Sequence, residues 1–424
     1  MSPNGRIPLL DLVLSLSDTI DLVSPRVANH HLEVAYIAGE LAKECGLAAE
    51  QRAEILTAGA LHDIGALSLK EKLANLQFEL REPHGHARLS CRILKTFSSL
   101  SRQAELVRFH HVPWNGGQGS EFGGERVPLG SHILHLADRV SALKDGGGHI
   151  LNQADAIKER IRGQSNRMFM PDIVGAFERL AEKQSFWLNA ACQRIELPLS
   201  ESVELPSLSL DGDELLSLAK LFARIIDFRS VQTATHSAGV GATARSLAEL
   251  AGFSKTQCRR MEIAGYLHDL GKLAVAPEIL EKRGQLTKEE FNVIFSHPFF
   301  TYRALQRIRG FGIVNVWASY HHERLNGKGY PYHLTAADLP LGARIVAVAD
   351  VFTAMLEERP YQKSLSAESA SRKIRRLADD SELDQELAVL LKFNLDKVES
   401  VRRNAQAAAA EEYREFRQGR EKVL

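Results

Sequence analysis

The feature that most constrains this chain is that it repeats itself. A shift of 206 residues lays His30 on His236, Val34 on Val240, Leu41-Ala42 on Leu247-Ala248, Gly46 on Gly252 and Gly59 on Gly265. Without a gap it also lays Leu61-His62-Asp63-Ile64-Gly65 on Leu267-His268-Asp269-Leu270-Gly271. A shift of 211 then pairs His86 with His297, His110-His111 with His321-His322, and Asn115-Gly116 with Asn326-Gly327. A shift of 212 pairs Pro128-Leu129-Gly130 with Pro340-Leu341-Gly342, and Ala137-Asp138 with Ala349-Asp350. The chain is therefore two copies of one domain. Two unrelated helical bundles with coincidental histidines would not return seven polar residues in register.

The hydrophobic pattern predicts an all-α fold, two duplicated helical domains joined by an extended linker. Residues 31–46 and 237–252 carry apolar residues at three-four spacing and stop at Gly46 and Gly252. Residues 51–62 and 257–268 form a second helix in each copy, with the His-Asp pair at its end. Residues 129–143 and 341–356 read as a buried helix carrying Asp138 or Asp350, and residues 152–162 and 172–190 as closing helices of the first copy. A helix at Leu9 to Ile20 opens the first copy and one at Leu215 to Ile226 opens the second. The Pro- and Ser-containing stretch between them reads as extended. The boundaries expected are 1–195 for the N-terminal copy, 196–210 for the linker, 211–400 for the C-terminal copy and 401–424 for a helical tail with no chemistry visible in it.

Composition narrows the function classes. Lys+Arg and Asp+Glu are both 53, so no global positive field argues for duplex nucleic acid. The four cysteines are scattered without a CxxC pair, which fits idle thiols in a reducing compartment. No apolar run approaches the roughly 20 residues of a membrane span, and no signal segment opens the chain. The expectation is a cytoplasmic protein that makes no membrane contact.

The chemistry-bearing residues of the second copy are His236, the pair His268-Asp269, His297, the pair His321-His322, and Asp350. Mixed imidazole and carboxylate donors suit divalent first-row metals. Taken with Lys272, three residues after His-Asp, and with Gly329-Tyr330-Pro331, this order of motifs resembles the HD-GYP family of bacterial phosphodiesterases over roughly residues 211–400. The resemblance implies that all seven are metal ligands of a two-metal centre, with Fe, Mn or another first-row ion, and that Asp269 bridges the metals. It implies a phosphodiesterase that opens a cyclic dinucleotide, cyclic di-GMP or 3′,3′-cyclic GMP-AMP, to the linear dinucleotide by a hydroxide activated between two metals. Lys272, Arg359 and Lys363 would contact substrate phosphates. The glycines around Gly329, Tyr330 and Pro331 would let backbone approach the ligand. Gly271 would permit the turn that lets His268 and Asp269 converge. Three departures from the family pattern stand out. Gln362 follows Arg359-Pro360-Tyr361 where a basic residue is usual, Asn326 stands where Asp is usual, and Gln232 stands where some members place a Glu that binds a third metal.

The first copy keeps the ligand types as His30, His62, Asp63, His86, His110, His111 and Asp138, a possible second metal site. It loses the groups around them: Lys272 becomes Ala66, Glu323 becomes Val112, and Gly329-Tyr330-Pro331 has no match. The N-terminal copy is thus expected to be regulatory or structural and to pack on the second copy. The competing function is a non-catalytic module that binds nucleotide or a signalling protein partner. The complete ligand set with Lys272 argues against it for the second copy. A phosphomonoesterase is a third reading, disfavoured by the Tyr-Pro loop.

Overall fold

The computed structural model describes residues 6–21, 29–66, 69–78, 84–144, 148–192, 194–196, 198–199, 207–227, 235–280, 282, 284–358 and 364–421. The chain divides into two compact units, whose main bodies are Pro8–Leu208 and Ser209–Lys422. Among the described residues both are mainly helical, with a few short strands.

In the first unit the helices are α1 (Leu9–Asp21), α2 (His30–Glu44), α3 (Ala49–Leu61), α4 (Leu69–Asn75), α5 (His84–Lys95), α6 (Ser101–Arg108), α7 (Leu129–Ala142), α8 (Ile150–Arg162), α9 (Pro171–Ala181) and α10 (Gln184–Ala190). The single closing helix expected over 172–190 is two helices, because the chain turns at Glu182 and Lys183 so that Phe186 and Trp187 fold back onto Phe177. A short antiparallel hairpin pairs Glu121 with Arg126. Val112, the apolar replacement for Glu323, is buried with Phe109 and Val127 beside it.

In the second unit the helices are α11 (Gly212–Asp227), α12 (His236–Leu250), α13 (Lys255–Leu267), α14 (Pro277–Leu280), α15 (Lys288–Phe295), α16 (His297–Gln306), α17 (Gly312–Ser319), α18 (Leu341–Leu356), α19 (Ala367–Asp379), α20 (Gln385–Phe393) and α21 (Leu395–Glu421). Their starts are written locally. Asp211 Oδ1 accepts the N–H groups of Asp213 and Glu214, and Ser254 with Gln257 forms a capping box before α13. Helices α12 and α13 pack so closely that a Cβ on Gly265 would lie 2.6 Å from the Cα of Gly241. Helix α18 is apolar over Ile345 to Ala349, all buried, and so carries Asp350 into the interior. Burying an aliphatic side chain contributes roughly 1.5–3 kcal/mol. Ile345, Val346 and Val348 thereby offset part of what a buried carboxylate takes away, and the imidazoles facing it offset more.

The expected linker is extended at Ser207–Ser209, whereas near its start Leu199 donates its N–H to Ile195 O in a helical turn. The tail is not separate. Helix α21 runs without a break across residue 400, and its Val398 and Arg402 are buried.

Candidate metal centre

Four helix ends and the middle of a fifth helix build the site in the second unit. His236 opens α12, His268 and Asp269 close α13, His297 opens α16, and His321 and His322 follow α17, while Asp350 comes from the middle of α18. The local geometry sets each imidazole. His268 Nδ1 donates to Gly265 O at 2.7 Å, His297 Nδ1 to Ile294 O at 2.6 Å, and His321 Nδ1 to Ala318 O at 2.6 Å. Each is a bond to the carbonyl three residues back. With Nδ1 committed, every Nε2 lone pair points inward, which is how metal-binding histidines are oriented.

The Nε2 atoms meet two carboxylates. Asp269 faces both ways: Oδ2 lies 3.2 Å from His268 Nε2 and Oδ1 lies 3.3 Å from His297 Nε2. His297 Nε2 is 3.3 Å from His321 Nε2. Asp350 Oδ1 is 3.2 Å from His236 Nε2 and 3.9 Å from His268 Nε2. Thus His236, His268 and Asp350 form one donor group and His297, His321 and His322 another, with Asp269 between them. His268 Nε2 is buried with no hydrogen-bond partner. An inward lone pair with no donor, among hard and borderline donors, fits a divalent first-row ion.

Electrostatics fits the same reading. Burial works to raise the pKa of Asp269, yet His268 and Lys272 hold it well below the usual carboxylate range. Burial likewise opposes ionisation of Asp350, and His236 and His268 hold it low. Burial lowers His297 to about 4 and leaves it a neutral ligand. His236 is the exception. Burial works to lower it, but Glu357 and Asp350 outweigh burial and raise it to about 10. An ion at His236 must displace that proton, so binding there is linked to pH.

Lys272 reaches Asp269 Oδ2 at 2.6 Å, on the rim of the cluster. Tyr330 lies against the cluster, stacked on His322 at 4.8 Å between ring centroids and backed by Phe295 at 4.4 Å. Its peptide bond to Pro331 is cis. Arg359, Lys363 and Gln232 lie outside the described residues.

Two glycines are also required by packing. Gly271 has no left-handed backbone. A Cβ there would sit 1.9 Å from His297 O, so glycine is needed for the approach of α16, and Thr301 Oγ1 completes the latch by accepting from Gly271 N and donating to His268 O. Gly329 comes close to its own chain, where a Cβ would lie 2.3 Å from Arg324 N. Asn326 also finds a reason: its amide donates to Asp380 O at 3.2 Å, which a carboxylate cannot do.

Three carboxylates escaped the sequence reading in their roles. Glu323 is 2% exposed and accepts from Tyr332 N at 2.7 Å and Leu334 N at 2.9 Å, so it braces the Tyr330 loop. Glu357 accepts from His236 Nδ1 at 2.9 Å and from Gln406 Nε2 at 2.6 Å, while Gln406 Oε1 accepts from Arg402. This chain of bonds ties α21, which includes the expected tail, to His236. Asp227 is buried beside Ser237, and burial pushes its carboxyl well above the usual range. Asp21, at the 206-residue shift, was the available signal for Asp227.

The HD domain family matches residues 27–143, and a second HD-domain family matches residues 220–387. A 3′3′-cGAMP-specific phosphodiesterase of Vibrio cholerae, number 1 of its series, is 30% identical over 390 residues, 88% of each chain. A cyclic di-GMP phosphodiesterase response regulator of Xanthomonas campestris is 38% identical over 40% of this chain and 48% of its own. The crystal structure of a cyclic GMP-AMP-specific phosphodiesterase of V. cholerae superposes with a TM-score of 0.64 at 20% identity, over 92% of this chain and 98% of that one, and shares the fold. Fold and site together thus define a duplicated HD-domain, metal-dependent phosphohydrolase. More narrowly, the chain belongs to the HD-GYP family of cyclic dinucleotide phosphodiesterases, and it is a phosphodiesterase of that type.

Proposed function

We propose that the C-terminal copy hydrolyses a cyclic dinucleotide, cyclic di-GMP or 3′,3′-cyclic GMP-AMP, to the linear dinucleotide in the cytoplasm, using two divalent ions. The observation that carries this reading is the two-faced Asp269, with one imidazole group at each of its oxygens. His236, His268 and Asp350 would hold one ion with Asp269 Oδ2, and His297, His321 and His322 the other with Asp269 Oδ1. Such a pair supplies an activated hydroxide and Lewis-acid contacts to phosphate oxygens. The chain's own residues do the rest. Asp269 and Asp350 stay ionised among the imidazoles, the Nδ1 bonds keep the ligands in place, and Lys272 sets an ammonium at the rim where phosphate charge develops. Tyr330, stacked on His322, forms an aromatic wall beside the cluster, with Gly329 and Pro331 shaping the loop. Arg359 and Lys363 are further phosphate contacts in this reading. The relative that aligns across both copies is named for 3′3′-cGAMP, which supports that substrate as the preferred one.

The test is product analysis. The protein is loaded anaerobically with Fe or Mn and offered both dinucleotides side by side, and linear product is expected. His268→Ala with Asp269→Ala should abolish turnover, while His62→Ala with Asp63→Ala should leave residual turnover. No product from either substrate, with metal bound, would favour a non-catalytic binding module.

A further inference from the structure

The N-terminal copy repeats the ligand cluster but not its surroundings. His62 Nδ1 donates to Gly59 O at 2.7 Å and His110 Nδ1 to Val107 O at 2.6 Å, the same bond three residues back. His86 Nε2 lies 3.1 Å from Asp63 Oδ1 and 3.0 Å from His111 Nε2, and His110 Nε2 lies 3.8 Å from Asp63 Oδ1. Asp63, His86, His110 and His111 can therefore present one donor atom each within a single small sphere, and all four are buried. His110 Nε2 and Asp63 Oδ1 have no hydrogen-bond partner, and on the other side of the cluster neither do His30 Nε2, His62 Nε2 and Asp138 Oδ1. A buried lone pair and a buried carboxylate oxygen left facing each other point to a cation.

The other half of the cluster already has a cation. Arg139, 1% exposed, donates from Nη2 to Asp138 Oδ2 at 2.5 Å and to Asn75 O at 2.8 Å, and from Nη1 to Gln77 O. Asn75 in turn donates to Asp63 Oδ2 at 2.7 Å. Position 139 corresponds to Val351 in the C-terminal copy, so this guanidinium belongs to the first copy alone. Both outer carboxylate oxygens are thus taken, one by an amide and one by a guanidinium. Asp63 Oδ2 accepts from a neutral amide where Asp269 Oδ2 accepts from the Lys272 ammonium, and the guanidinium charge of the first copy sits at Asp138 instead.

We propose that the N-terminal copy is a single-ion site, in which Asp63, His86, His110 and His111 hold one divalent first-row cation and Arg139 stands as a built-in cation at Asp138. His30 and His62 then carry no ion. Such a site ties the end of α3, α5 and the segment after α6 together and contributes folding free energy without needing a substrate. The inference is independent of the phosphodiesterase reading.

The deciding experiment uses crystals of the full-length protein with Co2+ as the only metal, and anomalous scattering at the cobalt edge. One peak is expected among Asp63, His86, His110 and His111, and none beside His30 and His62. No peak in this copy, or two, would overturn the proposal. Peaks in the C-terminal copy are read separately, so failure there leaves this result intact. As a second measurement, bound metal per chain is determined by mass spectrometry. His86→Ala with His111→Ala should lose one ion relative to wild type, and Arg139→Met, which frees Asp138, should gain one. An unchanged count in the folded Arg139→Met protein would also overturn it.

Discussion

Glu357 offers the sharpest test of how the C-terminal centre is held. Its carboxylate can only accept, and it accepts twice, from His236 Nδ1 at 2.9 Å and from Gln406 Nε2 at 2.6 Å. Glu357→Gln keeps the size and removes one acceptor. The new amide oxygen can serve His236 or Gln406, and its NH2 then faces the other donor. Gln406 cannot simply flip, because its own oxygen is taken by Arg402. One buried donor is left unpaired, at roughly 1–3 kcal/mol. If that falls on His236, metal affinity drops by about 10- to 100-fold, the range for losing a partner that orients a ligand. Binding of Mn2+ followed by competition with a fluorescent chelator would read this directly. The double variant Glu357→Gln, Gln406→Ala removes the conflicting donor and should recover most of the loss. Affinity within a factor of two of wild type in Glu357→Gln would refute the reasoning, as would a double variant weaker than the single.

Other outcomes follow from the same geometry. Glu323→Ala strips two backbone N–H groups of the Tyr330 loop of their acceptor, at roughly 2 kcal/mol once water reaches them, so Tm should fall by about 4–8 °C, with KM rising as Tyr330 loosens; an unchanged Tm would remove Glu323 from that role. Gly271→Ala forces a methyl against His297 O and should destabilise by roughly 3 kcal/mol or more, seen in urea unfolding; a stable, active variant would contradict the latch. In the first unit, burial lowers His135 to about 3, with Arg139 adding to it. The unfolded chain takes up the proton first, so this contribution is complete above about pH 6.5 and is lost as pH falls towards 3, on the order of 5 kcal/mol. His135→Leu should therefore flatten the acid side of the stability profile, and an unaltered profile would exclude the effect.

Much of this was legible in the sequence because helix ends and ligands are both local. The three-four spacing placed α2, α3, α12 and α13, and the register of the two copies singled out the seven donors in each. What stayed hidden is held by contacts between segments distant in sequence. Gln406 meets Glu357 across 49 residues, and Arg139 meets Asn75 across 64. No spacing rule marks such pairs. Gly271 was visible as a glycine, but its reason, the carbonyl of His297, belongs to another helix. The turn between α9 and α10 was missed because both halves keep the same apolar period, and only the packing of Trp187 on Phe177 separates them.

The bonds from imidazole Nδ1 to the carbonyl three residues back bear on how this duplicated chain could diverge. Each such histidine takes its aim from its own stretch of backbone, so a copied segment carries an aimed imidazole with it whatever happens elsewhere. Groups such as Lys272, Glu323 and Tyr330 depend on loops that meet only in the finished fold, and they can drift without disturbing that aim. The aim of the imidazoles and the assembly of those loops are therefore separable units of inheritance. A copy can change its loops while its histidines stay poised, free to be recruited to a different task.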